Sequence, residues 1–162
     1  MKHSGFTMIE MITTLIIIGV LAAIAAPRFF TQQAYSDRGF YDQTLAITRF
    51  AQKSAIAIRR NVCVNIAPPS ISVTYASASS PLVSPPLPCT SAAVSGAPCD
   101  TNLPSPVGGS PFTITAPSGT TLSPATTITF LGLGIVSAAS TTTTIAVSSR
   151  TITVETCTGY VH

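Results

Sequence analysis

The sequence predicts an α+β chain: a long N-terminal helix, membrane-spanning in its first half, packed in its second half on an antiparallel β-sheet. Three observations predict it. Residues 6–26 run without a break in apolar character and hold one ionisable side chain, Glu10. Residues 28–60 keep polar and apolar positions at helical spacing. From Val62 onward the period drops to two, and turn residues separate short alternating stretches.

The first element carries the most information. Residues 6–26 number 21, roughly 31 Å of α-helix, enough to cross a bilayer core. A plain membrane anchor leaves Glu10 without a purpose, because a carboxylate in hydrocarbon costs about 2.5–3.5 kcal/mol. A secretory signal peptide is a second reading, since residues 22–26 (Ala-Ala-Ile-Ala-Ala) offer small-residue cleavage sites. Against it, Glu10 falls where the apolar region should begin, and the helical pattern continues past the cut. A buried core helix is disfavoured by length and by the near-absence of polar residues. If the chain is cut after Gly5, Phe6 gains a free α-amino group, and that cation can pair with Glu10 of a neighbouring chain. Lys2 and Arg28 flank the span on both sides, so charge alone orients it poorly.

Residues 28–60 continue the helix. Pro27 lacks a backbone donor and crowds the preceding turn, so a kink or loosening is expected there, with Gly39 softening the helix again. Asp42, Arg49, Lys53 and Arg60 form one polar stripe, read as a solvated face. Phe40, Ile47, Phe50, Ser54 and Ile58 form another, suited to cover a sheet. Leu45 and Ile56 lie off both stripes and are expected to meet neighbouring subunits.

Residues 61–162 read as a β-rich extracytoplasmic region. Strands are expected at 62–66 and 71–75 around a turn at 67–70, then at 112–116, 126–131, 143–148 and 150–156. The last two flank Ser149, as a tight hairpin or a bulged strand. Residues 77–111 form a long excursion rich in proline and serine, which disulfides are expected to hold against the sheet. Gly132-Leu133-Gly134 reads as a turn or bulge between strands.

Composition narrows the function. The chain has 162 residues and a formal net charge of +3, which gives no general bias toward polyanions. Beyond Asn61 only Asp100, Arg150 and Glu155 are charged, so hydroxyls keep the surface wet, as suits an extracellular module. Cys63, Cys89, Cys99 and Cys157 all follow the span, an even count that reads as two disulfides in an oxidising compartment. Four cysteines allow three pairings, and the sequence does not choose among them. Cys63 with Cys99 and Cys89 with Cys157 is the expected arrangement, tying the opening strand to the end of the excursion and the excursion to the last strand. No catalytic constellation is evident. The histidines are His3 in the leader and His162, and Asp37, Asp42, Asp100 and Glu155 share no motif. No enzyme activity, metal or cofactor is expected.

The opening Gly5-Phe6-Thr7-Met8-Ile9-Glu10, the apolar run and Pro27 resemble the class III signal of type IV pilins and type II secretion pseudopilins. The resemblance implies a leader of residues 1–5, a transmembrane and filament-core helix over 6–27, an amphipathic helical half over 28–60, and the pilin fold. It also implies that prepilin peptidase cuts after Gly5 and N-methylates Phe6, and that Glu10 guides assembly. Partners would be other pilin or pseudopilin subunits and the inner-membrane assembly platform. The chain would sit in the bacterial inner membrane as a single-pass protein, then in a periplasmic or extracellular filament. Gly39-Phe40, Gln52-Lys53, Ile58-Arg59-Arg60, Cys63 and Thr158-Gly159-Tyr160-Val161-His162 are similar to the FimT/GspH group, including minor pilins of mannose-sensitive-haemagglutinin type systems.

Two functions follow from that resemblance. One is a structural minor pilin or pseudopilin. The alternative is a DNA-binding minor pilin of a competence pilus, because some FimT-like proteins bind DNA through a C-terminal Gly-Arg-x-Arg motif. Here Gly159-Tyr160-Val161-His162 stands in that place, and both arginines are replaced. The phosphate-neutralising charge is missing, which argues against nucleic acid as a partner.

Overall fold

The computed structural model describes residues 6–78, 98–106, 108–137 and 142–162, apart from the side chains of residues 26–31. Helix α1 (Met8–Ile58) opens the chain. The strands that follow among the described residues are β1 (Val62–Ala67), β2 (Ser70–Tyr75), β3 (Thr101–Asn102), β4 (Phe112–Thr115), β5 (Leu122–Ser123), β6 (Thr126–Phe130), β7 (Thr142–Val147) and β8 (Arg150–Glu155). The chain divides into two compact units, Met1–Ser36 and Asp37–His162.

The first unit is the N-terminal part of α1. The Thr7 carbonyl accepts from the Glu10 and Met11 amides at 3.1 and 3.3 Å, closing the first turn. Ile16-Ile17-Ile18 is a β-branched run that weakens a helix in water. In hydrocarbon a helix satisfies its backbone internally, and that requirement outweighs the handicap. The helix assignment continues through Pro27 without a break.

In the second unit the rest of α1 contributes its buried row to a core shared with the strands. That row is Phe40, Thr44, Ile47, Thr48, Ala51 and Ala55. It differs from the stripe expected from sequence. Phe50 and Ser54 are half-buried, and Ile58 is exposed. Ala51 and Ala55, both 0% exposed, fall on this row, and as small side chains they are buried with little apolar signal of their own. Thr44 and Thr48 tolerate full burial because their hydroxyls donate to the carbonyls of Phe40 and Thr44 at 2.8 and 2.7 Å. Leu45 is half-buried against this core. Ile56 stays largely exposed, with its side chain lying against Gly134.

One antiparallel sheet was expected, and the described residues form two. The first has the order β3-β2-β1-β6, with β4 also pairing β2. β3 and β4 share one edge of β2 end to end: Thr74 pairs with Asn102, while Val73 pairs with Phe112. The second sheet has the order β5-β7-β8. Its β7–β8 hairpin turns through Ser148 and Ser149, with Val147 opposite Arg150 and Ser148 at φ 52°. Residues 135–137 bridge the two sheets. Val136 pairs with Phe130 at the end of β6, and its amide donates to the Thr156 carbonyl at 2.9 Å. The split follows from non-local pairing. β6 lies beside β1, leaving β7 and β8 to pair with each other and with β5. The expected excursion at 77–111 contains the short strand β3, and residues 79–97 lie outside the described residues.

Candidate functional site

Two segments of the molecule bear on the residues singled out by the sequence. The first is the N-terminal segment. Met8–Ala25 is long and apolar enough to cross a membrane, and none of it is buried within the chain. Its large side chains include Met8, Ile9, Leu15, Ile16, Ile17 and Leu21, all exposed. The polar groups within it are disposed of locally: Thr13 and Thr14 donate to the carbonyls of Glu10 and Met11 at 3.0 and 2.9 Å. A hydroxyl spent on its own helix adds little cost in an apolar medium. Glu10 is different. It stands in the first turn of α1, where the free amides of the helix start favour a negative charge. Its side chain is exposed, and among the described residues it has no ion-pair partner. Phe6 is exposed just ahead of the helix, and Gly5 lies outside the described residues.

The second feature is the C-terminal tail. After β8 the chain turns at residues 156–158 and returns alongside the strand, so that Val161 pairs with Val154. The amides of Thr153 and His162 exchange hydrogen bonds with each other's carbonyls at 2.6 and 3.0 Å, and the Glu155 amide donates to Tyr160 at 2.9 Å. The tail thus adds a short strand to the second sheet. Two side chains of α1 hold it. The Arg49 guanidinium donates from Nε and Nη2 to the Val161 carbonyl at 3.2 and 3.0 Å. Gln52 Nε2 donates to Gly134 and Thr158 carbonyls at 3.1 and 3.4 Å. Gly159, at φ +68°, fits against the Gly134 carbonyl; a Cβ there would lie 1.8 Å from that oxygen. The stripe read as solvated is therefore partly structural. Arg60 likewise donates to the Ser77 carbonyl. Periodicity places these side chains outward and says nothing of the carbonyls that reach them.

Cys63 of β1 is bonded to Cys99, just ahead of β3, with Cα atoms 6.1 Å apart. That bond ties the end of the excursion to the first sheet, as expected. Cys157 is also disulfide-bonded; Cys89, its expected partner, lies outside the described residues. Beside the Cys63–Cys99 bond, Asp100 accepts from the Ser77 amide at 2.8 Å, from the Ser77 hydroxyl, and from the Thr101 hydroxyl at 3.1 Å. The Ser77 hydroxyl and then its amide hold the Asp100 carboxyl below its ordinary value. Among the described residues no group of three or more His, Cys, Asp or Glu side chains gathers to hold a metal.

The model of the prokaryotic N-terminal methylation motif matches residues 1–26. The chain is also similar to the type IV narrow pilus major component PilA5 of Thermus thermophilus, 41% identical over 51 residues, or 32% of this chain and 44% of that protein. The chain thus matches less than half the length of this relative. No solved structure matches. The likeness to known proteins thus lies in a methylation motif over residues 1–26 and a 51-residue stretch shared with a pilin, in a chain whose long apolar helix is followed by antiparallel sheets.

Proposed function

We propose that this chain is a structural, non-catalytic subunit of a type IV pilus or type II secretion pseudopilus, in the manner of a minor pilin. One observation carries the reading: eighteen residues, Met8–Ala25, are apolar and wholly unburied within the chain, yet hold a single carboxylate in the first helical turn. Such a surface needs lipid before assembly and other helices after it. In this reading prepilin peptidase breaks the Gly5–Phe6 amide and the new amine of Phe6 is methylated. The chain waits as a single-pass protein of the inner membrane until the assembly platform adds it to a periplasmic or extracellular filament. Glu10 then faces the Phe6 ammonium of the adjacent subunit. A docked subunit neutralises two charges at once, and a misregistered one leaves both unpaired, so the pair supplies register as well as attraction. Loosening of α1 at Pro27, where the ladder lacks a donor, belongs to the assembled state in this account.

Mass spectrometry of the protein from its native host tests the first step. A chain beginning at N-methyl-Phe6 is the expected result. A chain beginning near Pro27 would place the segment among ordinary signal peptides and remove the filament reading.

A further inference from the structure

Where α1 ends, a cavity of about 500 Å³ opens between the helix, the end of β2 and the chain that follows β3. Ile58, Arg60, Tyr75, Leu103 and Pro104 line it. These residues are distant in sequence, so the cavity exists only because each wall is held. The helix stops at Ile58, and the Arg60 amide closes it by donating to the Ala55 carbonyl at 3.3 Å. The Arg60 side chain is fixed in turn, since Nη1 donates to the Ser77 carbonyl. Tyr75 ends β2, paired with Val62 on one side and Thr101 on the other. Leu103 donates its amide to the Val73 carbonyl at 3.1 Å and accepts from the Phe112 amide at 3.0 Å. Just ahead of that wall the chain is tied down by the Cys63–Cys99 bond and by Asp100, which accepts from the Ser77 amide at 2.8 Å. A cavity with walls fixed in this way has little freedom left to lose on filling.

We infer that this cavity binds a small amphipathic carboxylic acid, its carboxylate on the Arg60 guanidinium and its aromatic or short aliphatic body among Ile58, Leu103, Pro104 and the Tyr75 ring. The lining divides in that way. Leu103 is buried and forms an apolar floor, whereas Ile58 and Pro104 stand exposed at the rim. Arg60 and Tyr75 are half-buried between them. An apolar pocket with a few polar groups is the usual form of a small-molecule site, and its volume is in the ordinary range. A guanidinium carries five N–H donors in a planar fork, so the bond to Ser77 leaves others for a carboxylate. The acid nearest to hand does not take them: among the described residues, Asp100 accepts from Ser77 and Thr101 rather than from Arg60. The charge of Arg60 balances one negative charge, which suits a carboxylate better than a doubly charged phosphate. The floor and rim require an apolar body, which excludes small hydrophilic anions as a good fit. This inference goes beyond the filament reading and does not rest on it, because one subunit carries the whole cavity.

The test is a titration of the full-length protein, in a nonionic detergent at neutral pH, with hydrocinnamate as the probe. NMR signals of the Leu103 methyl groups and the Arg60 Nε–H report on the floor and on the cation. Both should shift saturably, with half-saturation between about 0.1 and 10 mM, as fits so small a ligand. Hydrocinnamamide keeps the body without the charge and should bind at least about tenfold more weakly. Arg60→Gln should produce the same loss against hydrocinnamate. Should that variant lose its thermal transition along with the Ser77 contact, Pro104→Glu decides in its place. Pro104 is exposed, and a carboxylate at the rim should repel the probe and weaken binding by a similar factor. Absence of a saturable shift up to about 20 mM would overturn the inference. So would equal affinity for the acid and its amide, or binding that Arg60→Gln or its folded substitute leaves unchanged. Shifts confined to the membrane-spanning part of α1 would overturn it too, since they mark partition into detergent.

Discussion

The two parts of α1 treat the same kind of side chain in opposite ways. In the first unit Leu15 and Ile16 are 68% and 61% exposed, whereas Ile47 in the second is 1% exposed. A leucine or isoleucine side chain gains the same by leaving water in either part. The difference lies in what each part is offered. After Asp37 the helix has two sheets whose inner faces supply Val62, Val64, Phe130, Ile145 and Val154 to one core. Before it, none of Met8–Ala25 is buried among the described residues. The described part of the second unit buries an apolar core of its own, whereas none of Met8–Ala25 is buried. A long apolar helix is thus defined by the partner its surface requires.

That contrast can be broken at each end. The largest expected effect is at Glu10. Glu10→Gln or Glu10→Ala should leave insertion intact, or improve it by removing a polar burden, and cleavage after Gly5 should survive. Incorporation should fall by more than about tenfold, since an unpaired buried charge costs about 3 kcal/mol or more. Co-purification of the variant with sheared filaments, alongside its level in the membrane fraction, measures both. Normal incorporation at a normal membrane level would show that Glu10 does not guide assembly.

Next in size is the Cys63–Cys99 bond, which acts on the second unit alone. It spans a sequence separation of 36, so its removal should cost about 3–4 kcal/mol through the freedom restored to the unfolded chain. Cys63→Ser with Cys99→Ser should lower the denaturant midpoint of the second unit while membrane insertion stays unchanged. An unaltered midpoint would mean that the sheet holds the excursion without the bond.

Smaller, and more local, is Gly159→Ala. The positive φ and the Gly134 carbonyl both oppose a Cβ there, and a cost of about 2–3 kcal/mol is expected. The loss should appear as faster amide exchange at Thr153 and Glu155, whose amides donate to the tail. Unchanged protection at those two amides would show that the tail is not held where Gly159 meets Gly134.

The smallest effect is the acid response of Asp100. Its carboxyl titrates lower in the folded chain than in the unfolded one, so its contribution is present above the unfolded value and is lost as pH falls through the folded one. The Ser77 amide should therefore keep its chemical shift from pH 8 down to about 4 and move only below that. Movement near neutral pH would mean another group controls this corner.

Much of this molecule is legible in its residues alone. Gly5-Phe6 and Glu10 stand out because a lone carboxylate in an apolar run is energetically conspicuous, and that needs no neighbours to be seen. The strands β1, β2, β4, β6, β7 and β8 are legible because alternation is local. So is the turn at Gly132-Leu133-Gly134, where Gly134 takes φ +83° and its amide returns to Leu131. The short strands β3 and β5 are not, because two residues carry no period and exist only where β2 and β7 offer an edge.

The sequence by itself therefore determined the order of α1 and the longer strands, the membrane-length helix with its single carboxylate, and the Cys63–Cys99 pairing as one of its expectations. Tertiary structure decided which residues of α1 are buried, because Ala51 and Ala55 are fully buried although so small a side chain carries little hydrophobic signal. It also decided that two sheets form rather than one, and that Arg49 and Gln52 grip the tail. Those choices depend on carbonyls brought from 82 and 112 residues away, and a backbone acceptor leaves no mark in the sequence that supplies it.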